Sequence, residues 1–163
     1  MSDRAAAILA RFTATCSTFT SKLRDLPPGL AEVRPDRDSW SPAQIGCHIA
    51  MSNEWIANAL AGLEPHARPI AERMSAFDPS GLAPTEESFP ALVPPNPVSR
   101  EVALERLRNS SQRVSRAIAA LSSERGTTEG VTLAVGTMSL YELADYAATH
   151  MARHLAQVER RDS

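Results

Sequence analysis

Apolar residues recur at spacings of three and four in four stretches of this chain, and little of it alternates as a strand would. In residues 3–26, Ile8, Phe12, Cys16, Phe19 and Leu23 fall on one stripe, which predicts an amphipathic helix. Pro27-Pro28-Gly29 ends it. A second helix is marked by Ser41 as N-cap, Pro42 at the first helical position and Gln44 closing a capping box, with Trp40 placed to staple onto Ile45. It runs to about residue 60, where Gly62 follows. Its inward face holds Ile45, His48, Ile49, Ser52, Ile56 and Leu60, with Trp55 at the margin. A third helix over residues 99–122 buries Ala103, Leu107, Val114, Ile118 and Leu121 and turns Arg106, Arg108 and Arg116 to solvent. The fourth opens on a second capping box, Ser139-Leu140-Tyr141-Glu142, and runs to about residue 160. Leu140, Leu143, Ala147, His150, Met151, His154, Leu155 and Val158 lie along one of its faces.

The segments between these helices differ in kind. Residues 63–98 hold eight of the chain's twelve prolines, a spacing that no regular helix survives. A short helix at 67–77 is the most that fits there. The segment is expected to be a long crossover between helices, or a lid over a site. Residues 124–137 read as a polar turn followed by the apolar run V-T-L-A-V, ended by Gly136, a candidate extended piece. The expectation is an all-α, four-helix bundle with a long Pro-rich crossover between helices 2 and 3, in one domain over residues 1–163. A chain of this length buries about 70% of its unfolded surface and needs no staples.

Charge and composition narrow the function classes. The net charge of −2 and the lack of a basic stripe argue against nucleic acid as a partner. No run approaches the roughly 20 apolar residues of a membrane span, and the first residues lack the apolar core of a signal peptide. A cytoplasmic location is expected. Cys16 and Cys47 form no paired motif and read as small buried hydrophobes.

The chemistry lies in the histidines. His150 and His154 stand one turn apart on the apolar stripe of the last helix. An inward imidazole needs partners for its ring nitrogens, and two on one stripe double the demand. A divalent metal meets it by taking one nitrogen from each. His48, inward on another helix, is the obvious third ligand, because bundle helices pack only about 8–10 Å apart. Met151 stands where a zincin needs Glu, and no E-x-x-H occurs, so zincin and di-iron chemistries are excluded on residue type. His66, in the crossover, reads as a surface residue or a group borne on a lid.

The stretch S-W-S-P-A-Q-I-G-C-H-I-A (residues 39–50), taken with T-H-M-A-R-H-L-A-Q (residues 149–157), resembles the DinB-like superfamily, named for a DNA-damage-inducible protein. The resemblance extends over nearly the whole chain, including the order and lengths of the helices. It implies a bundle with a long crossover, a divalent metal held by His48, His150 and His154, and a homodimer. Many members carry Asp after the first His of the last helix, where this chain has Met151. Gln157 matches the family's trailing Gln. It either orients a ligand or a bound substrate through its amide or faces solvent or a partner chain.

Three histidines leave a coordination position open, the catalytic pattern, and neutral imidazoles suit zinc, nickel or iron(II). Characterised members of the superfamily include transferases and isomerases that use low-molecular-weight thiols such as bacillithiol, mycothiol or glutathione. The resemblance therefore implies a metal-dependent S-transferase joining a small thiol to a small electrophile, with Trp40 and Trp55 as candidate pocket walls. Two alternatives stay open. One is a metal-dependent hydrolase, although Glu54 and Glu142 read as outward or capping and no inward carboxylate is evident to serve as base. The other is a non-enzymatic metal-binding stress or interaction protein.

Overall fold

The four stripes become four long helices in a computed structural model that describes residues 1–63, 68–69, 92–133 and 136–160. In chain order the elements are α1 (Asp3–Asp25), α2 (Pro28–Ala31), α3 (Pro42–Leu60), β1 (Arg68–Pro69), α4 (Arg100–Ala120), α5 (Ser123–Thr128), β2 (Glu129–Leu133), β3 (Gly136–Ser139) and α6 (Leu140–Glu159). Both capping boxes form. Ser41 Oγ accepts from the Gln44 amide while Gln44 Oε1 accepts from the Ser41 amide, and Ser139 and Glu142 make the same exchange. Each satisfies two amides that the first helical turn would leave bare.

Contacts along the helices fix their directions. Ser2 meets Tyr141 and Arg11 meets Asp145, so α1 and α6 run parallel. Arg100 donates to the carbonyls of Arg24 and Leu26, and Cys16 meets Ser111, so α4 runs against α1. Arg106 reaches Cys47 and Arg113 reaches Asn58, so α3 and α4 are parallel. Successive parallel helices need a connection that travels back along the first one. For the 19 residues of α3 that is about 28 Å. This is the physical reason for a crossover at 63–98. By the same logic α3 runs antiparallel to α6, which carries the start of α3 to the C-terminal half of α6.

Phe12, Phe19, Leu23, Ile45, Ile49, Ile56, Leu60, Leu107, Ile118 and Leu140 are almost fully buried, each side chain contributing about 1.5–3 kcal/mol by transfer from water. The inward faces read from the sequence hold, with Cys16, His48, Trp55 and Leu155 half-buried. α3 is more central than a single stripe suggests: Gly46, Cys47, Ala50, Asn53, Ala57 and Ala59 are buried as well. The small residues let α4 pack closely along it.

The all-α expectation holds, with an addition. The apolar run after residue 129 is a strand, and it pairs antiparallel with β3 in the register Val131↔Met138 and Thr132↔Thr137. Val131 and Met138 face the core, and the Thr132 and Thr137 hydroxyls meet outside at 2.9 Å. β1 adds an edge to β2, where a proline is tolerated because no neighbour needs its N–H. The polar turn proposed before this run is the short helix α5. There Gly126 allows α6 to approach, since a Cβ would lie 2.4 Å from the Tyr141 ring. The suggested helix at 67–77 lies outside the described residues, except for the two that form β1. Arg106 is corrected too. It is half-buried, bonded to Cys47 Sγ at 3.2 Å and Glu54 at 3.5 Å, whereas Arg108 and Arg116 are exposed.

Candidate metal centre

His48 lies in the second turn of α3, and the Ser41 cap fixes where that turn begins. His150 and His154 lie one turn apart on the face of α6 that looks at it. The three rings turn the same atom inward. Nε2 of His150 stands 3.2 Å from Nε2 of His48 and 3.1 Å from Nε2 of His154. The ring planes cross steeply, at 65–87°.

The outer nitrogens decide the protonation. Nδ1 of His48 lies 2.8 Å from the Leu92 carbonyl, which can only accept, so this nitrogen carries the proton and donates. Nδ1 of His154 likewise donates to Gln157 Oε1 at 2.7 Å. A neutral imidazole protonated on Nδ1 has a lone pair on Nε2. Two lone pairs therefore face His150 Nε2, which can offer at most one proton. The arrangement is short of positive charge at its centre, and a cation there fits it.

Protonating the rings is the unfavourable remedy. Burial is the main cause that lowers all three pKa values. It sets His150 well below the ordinary histidine value and His154 at about 4, with the neighbouring imidazoles and Arg153 adding to it. His48 is also lowered by burial, and its bond to Leu92 offsets part of that. Neutral rings with converging lone pairs are what a divalent ion requires.

Aromatic rings close the sides. Trp40 lies 4.8 Å from His48 at a tilt of 42°, and Tyr146 stacks on His150 at 5.5 Å and 25°. Trp40, read from the sequence both as a staple onto Ile45 and as a candidate pocket wall, packs on a site residue. Met151 is fully buried in the core, so the position after His150 has no polar task here.

Among the described residues, His48, His150 and His154 are the group that could share an ion, their ligand atoms all within 4.8 Å of one another. A family model described as the DinB superfamily matches residues 11–158, which include all three histidines and Gln157. The chain belongs to the DinB superfamily. No curated protein matched it. The DinB match starts inside α1 and ends at the last buried residue of α6, Val158, so it includes α3, α4 and all but the outer ends of α1 and α6.

For this DinB chain the structure also shows what its other polar groups do. Both cysteines are free. Burial pushes the Cys16 thiol up to about 11, and it raises Cys47 despite the nearby Arg106. Neither is a thiolate at neutral pH. Glu142 is occupied by its cap, and Glu54 faces Arg106. His66 lies outside the described residues. No helix among the described residues is long and apolar enough to cross a membrane. Two contributors escaped the sequence. The Leu92 carbonyl has no residue-type signal at all, whereas Tyr146, four residues before His150, could have been found by helical spacing.

Proposed function

We propose that Nε2 of His48, His150 and His154 hold one divalent ion, zinc, nickel or iron(II), and that the loaded protein is an S-transferase joining a small thiol to a small electrophile. The observation that carries the reading is the convergence of three Nε2 atoms, two of them fixed as lone-pair donors by Leu92 and Gln157. A divalent ion held by three imidazoles acts as a Lewis acid and lowers the pKa of a thiol that reaches it. The protein's part is to hold the rings neutral and oriented. Leu92 and Gln157 fix two tautomers, the Tyr146 stack fixes the His150 plane, and Trp40 shields His48 from water. The thiol comes from outside, because Cys16 and Cys47 are held protonated. Among the described residues no carboxylate joins the donor set to act as a base on water, which ranks transfer above hydrolysis.

Protein purified without chelator should carry about one divalent ion per chain. Incubated with a panel of low-molecular-weight thiols and electrophiles, it should consume thiol only in the loaded form. A chain that takes up no ion from any of the three metals overturns the metal reading. A loaded chain that is inert with every thiol overturns the transferase reading.

A further inference from the structure

On α3, two side chains one turn apart each hold a carbonyl of the segment that returns from the crossover. Gln44 Nε2 donates to the Pro95 carbonyl at 3.3 Å, and His48 Nδ1 donates to the Leu92 carbonyl at 2.8 Å. Residues 92–98 thus lie as a strap along the first two turns of α3, with Pro94 and Val98 buried beneath it. The strap is stiff between its two bonds. Pro94 and Pro95 have fixed φ angles, and each restricts the residue before it. A shift at Pro95 is therefore carried to Leu92 rather than absorbed between them.

Gln44 uses its amide at both ends. Oε1 accepts from the Ser41 amide at 3.1 Å, while Nε2 faces the strap. The oxygen meets an N–H and the nitrogen meets a carbonyl, so the network admits one orientation of the group. Gln44 is 2% exposed, which shields the bond to Pro95 from competing water. A capping box closes with either Glu or Gln at this position. The box of α6 uses Glu142, whose carboxylate accepts from the Ser139 amide at 2.8 Å. A carboxylate at position 44 would close the first box equally well, yet it has no N–H to give Pro95. Gln44 thus carries a donor that the cap does not need and the strap does.

We propose that Gln44 is a positioning residue of the three-histidine centre. Its bond to Pro95 holds the strap in the register that sets the Leu92 carbonyl on His48 Nδ1, and a proton kept on Nδ1 leaves the Nε2 lone pair facing the ion site. The proposal rests on the metal reading above and adds a residue that acts through the strap rather than on the ion.

The test compares full-length wild type, Q44E, Q44M and S41A. Q44E keeps the acceptor of the cap and loses the donor to the strap. Q44M loses both without adding charge. S41A damages the cap and leaves the strap bond in place. Cobalt(II) affinity, from competition with a coloured chelator, should fall about fivefold in Q44E and in Q44M. S41A should stay within about twofold of wild type in affinity while its Tm falls by about 2–4 °C. In the metal-free proteins, nitrogen-15 NMR of the His48 ring should show the Nδ1–H tautomer in wild type and S41A, and a mixture with the Nε2–H tautomer in both Gln44 variants. A packing role alone would not move that signal. Wild-type affinity and an unmixed tautomer in Q44E and Q44M overturn the proposal. So does a loss of affinity in S41A as large as that in Q44M, which would place the effect in the helix start. A wild type that takes up no cobalt overturns the metal reading itself, and the tautomer spectra then decide the strap on their own.

Discussion

At one end of α3, Arg125 grips both carboxylate oxygens of Glu129 and donates to the Leu60 carbonyl at 3.1 Å. Near the other end, three imidazoles turn one nitrogen each toward a common point. Both clusters tie elements together across the bundle, and their bookkeeping of charge differs. In the first, a cation meets an anion and a carbonyl, and the Glu129 pairing raises the Arg125 pKa, so the charged form is favoured. In the second, like groups meet, and burial drives every one of them toward the neutral form. A polar cluster that only supports a fold completes itself with complementary partners. One that leaves lone pairs facing one another, after fixing its outer nitrogens, is prepared for something from outside.

The strongest way to break this contrast is to remove the central ring. His150 is the imidazole that both others face. H150A should lower metal content from about one ion per chain to near zero and weaken affinity beyond the roughly 10–100-fold that loss of a ligand's outer partner costs. Metal analysis of wild type and variant in parallel decides it. Unchanged content would show that the cluster is structural, like the Arg125 clamp.

Acid should separate the two clusters next. The histidines have folded pKa values below the unfolded value of about 6.5, so the unfolded chain binds more protons in this range. Their contribution to stability is therefore present above about pH 6.5 and is lost as pH falls toward the folded value of about 4 for His154. For His154 alone, in the metal-free protein, the loss is on the order of 3 kcal/mol, and His48 and His150 add to it in the same direction. Chemical denaturation at pH 7 and at pH 4.5 measures it. In the loaded protein, metal release should begin only below the pH at which free imidazole is half-protonated, because protons compete poorly for buried rings.

Gln157 sharpens the contrast at the level of one hydrogen bond. Q157A removes the acceptor that holds the His154 proton on Nδ1 and should weaken metal binding about 10–100-fold. Q157E, which still accepts at that position, should restore most of it. Competition against a coloured chelator gives both constants, and equal affinity in all three proteins would place Gln157 outside the centre.

How far each cluster could be read in advance follows from the range of the interactions that build it. The bundle rests on local periodicity and caps, and both capping boxes were visible as Ser-x-x-Gln and Ser-x-x-Glu. His48, His150 and His154 were legible because each sits on an apolar stripe where an idle histidine is costly. Gln157 was visible as a position, while its bond to His154 was not, because a helix-end amide three residues on can face either way. The hairpin was half legible: V-T-L-A-V suggested an extended piece, but nothing local says which strand pairs with it. Arg106 misled because a charge on a helix exterior reads as solvated until a neighbouring helix supplies Cys47 and Glu54. The Leu92 carbonyl was beyond reach, since a backbone acceptor 44 residues away in sequence leaves no trace in residue type.

The smallest expected effect belongs to the clamp itself, and it tests whether the two clusters are independent. Arg125 and Glu129 are each about one-third exposed, with side-chain accessibilities of 33% and 29%, so solvent screens much of their attraction. R125M keeps much of the stem's packing and removes the charge, the bidentate contact and the bond to Leu60. The expected cost is about 1 kcal/mol, or a fall in Tm of about 2–4 °C for a chain of this size. Glu129, left in a partly open position, can rehydrate, which keeps the loss small. Metal affinity should stay within about twofold of wild type, because the clamp lies at the far end of α3 and shares no partner with the histidines. Scanning calorimetry with metal titration on the same sample reads both quantities. A drop in metal affinity as large as that of Q157A would mean that the far end of α3 governs the position of His48, and that the two clusters act as one unit.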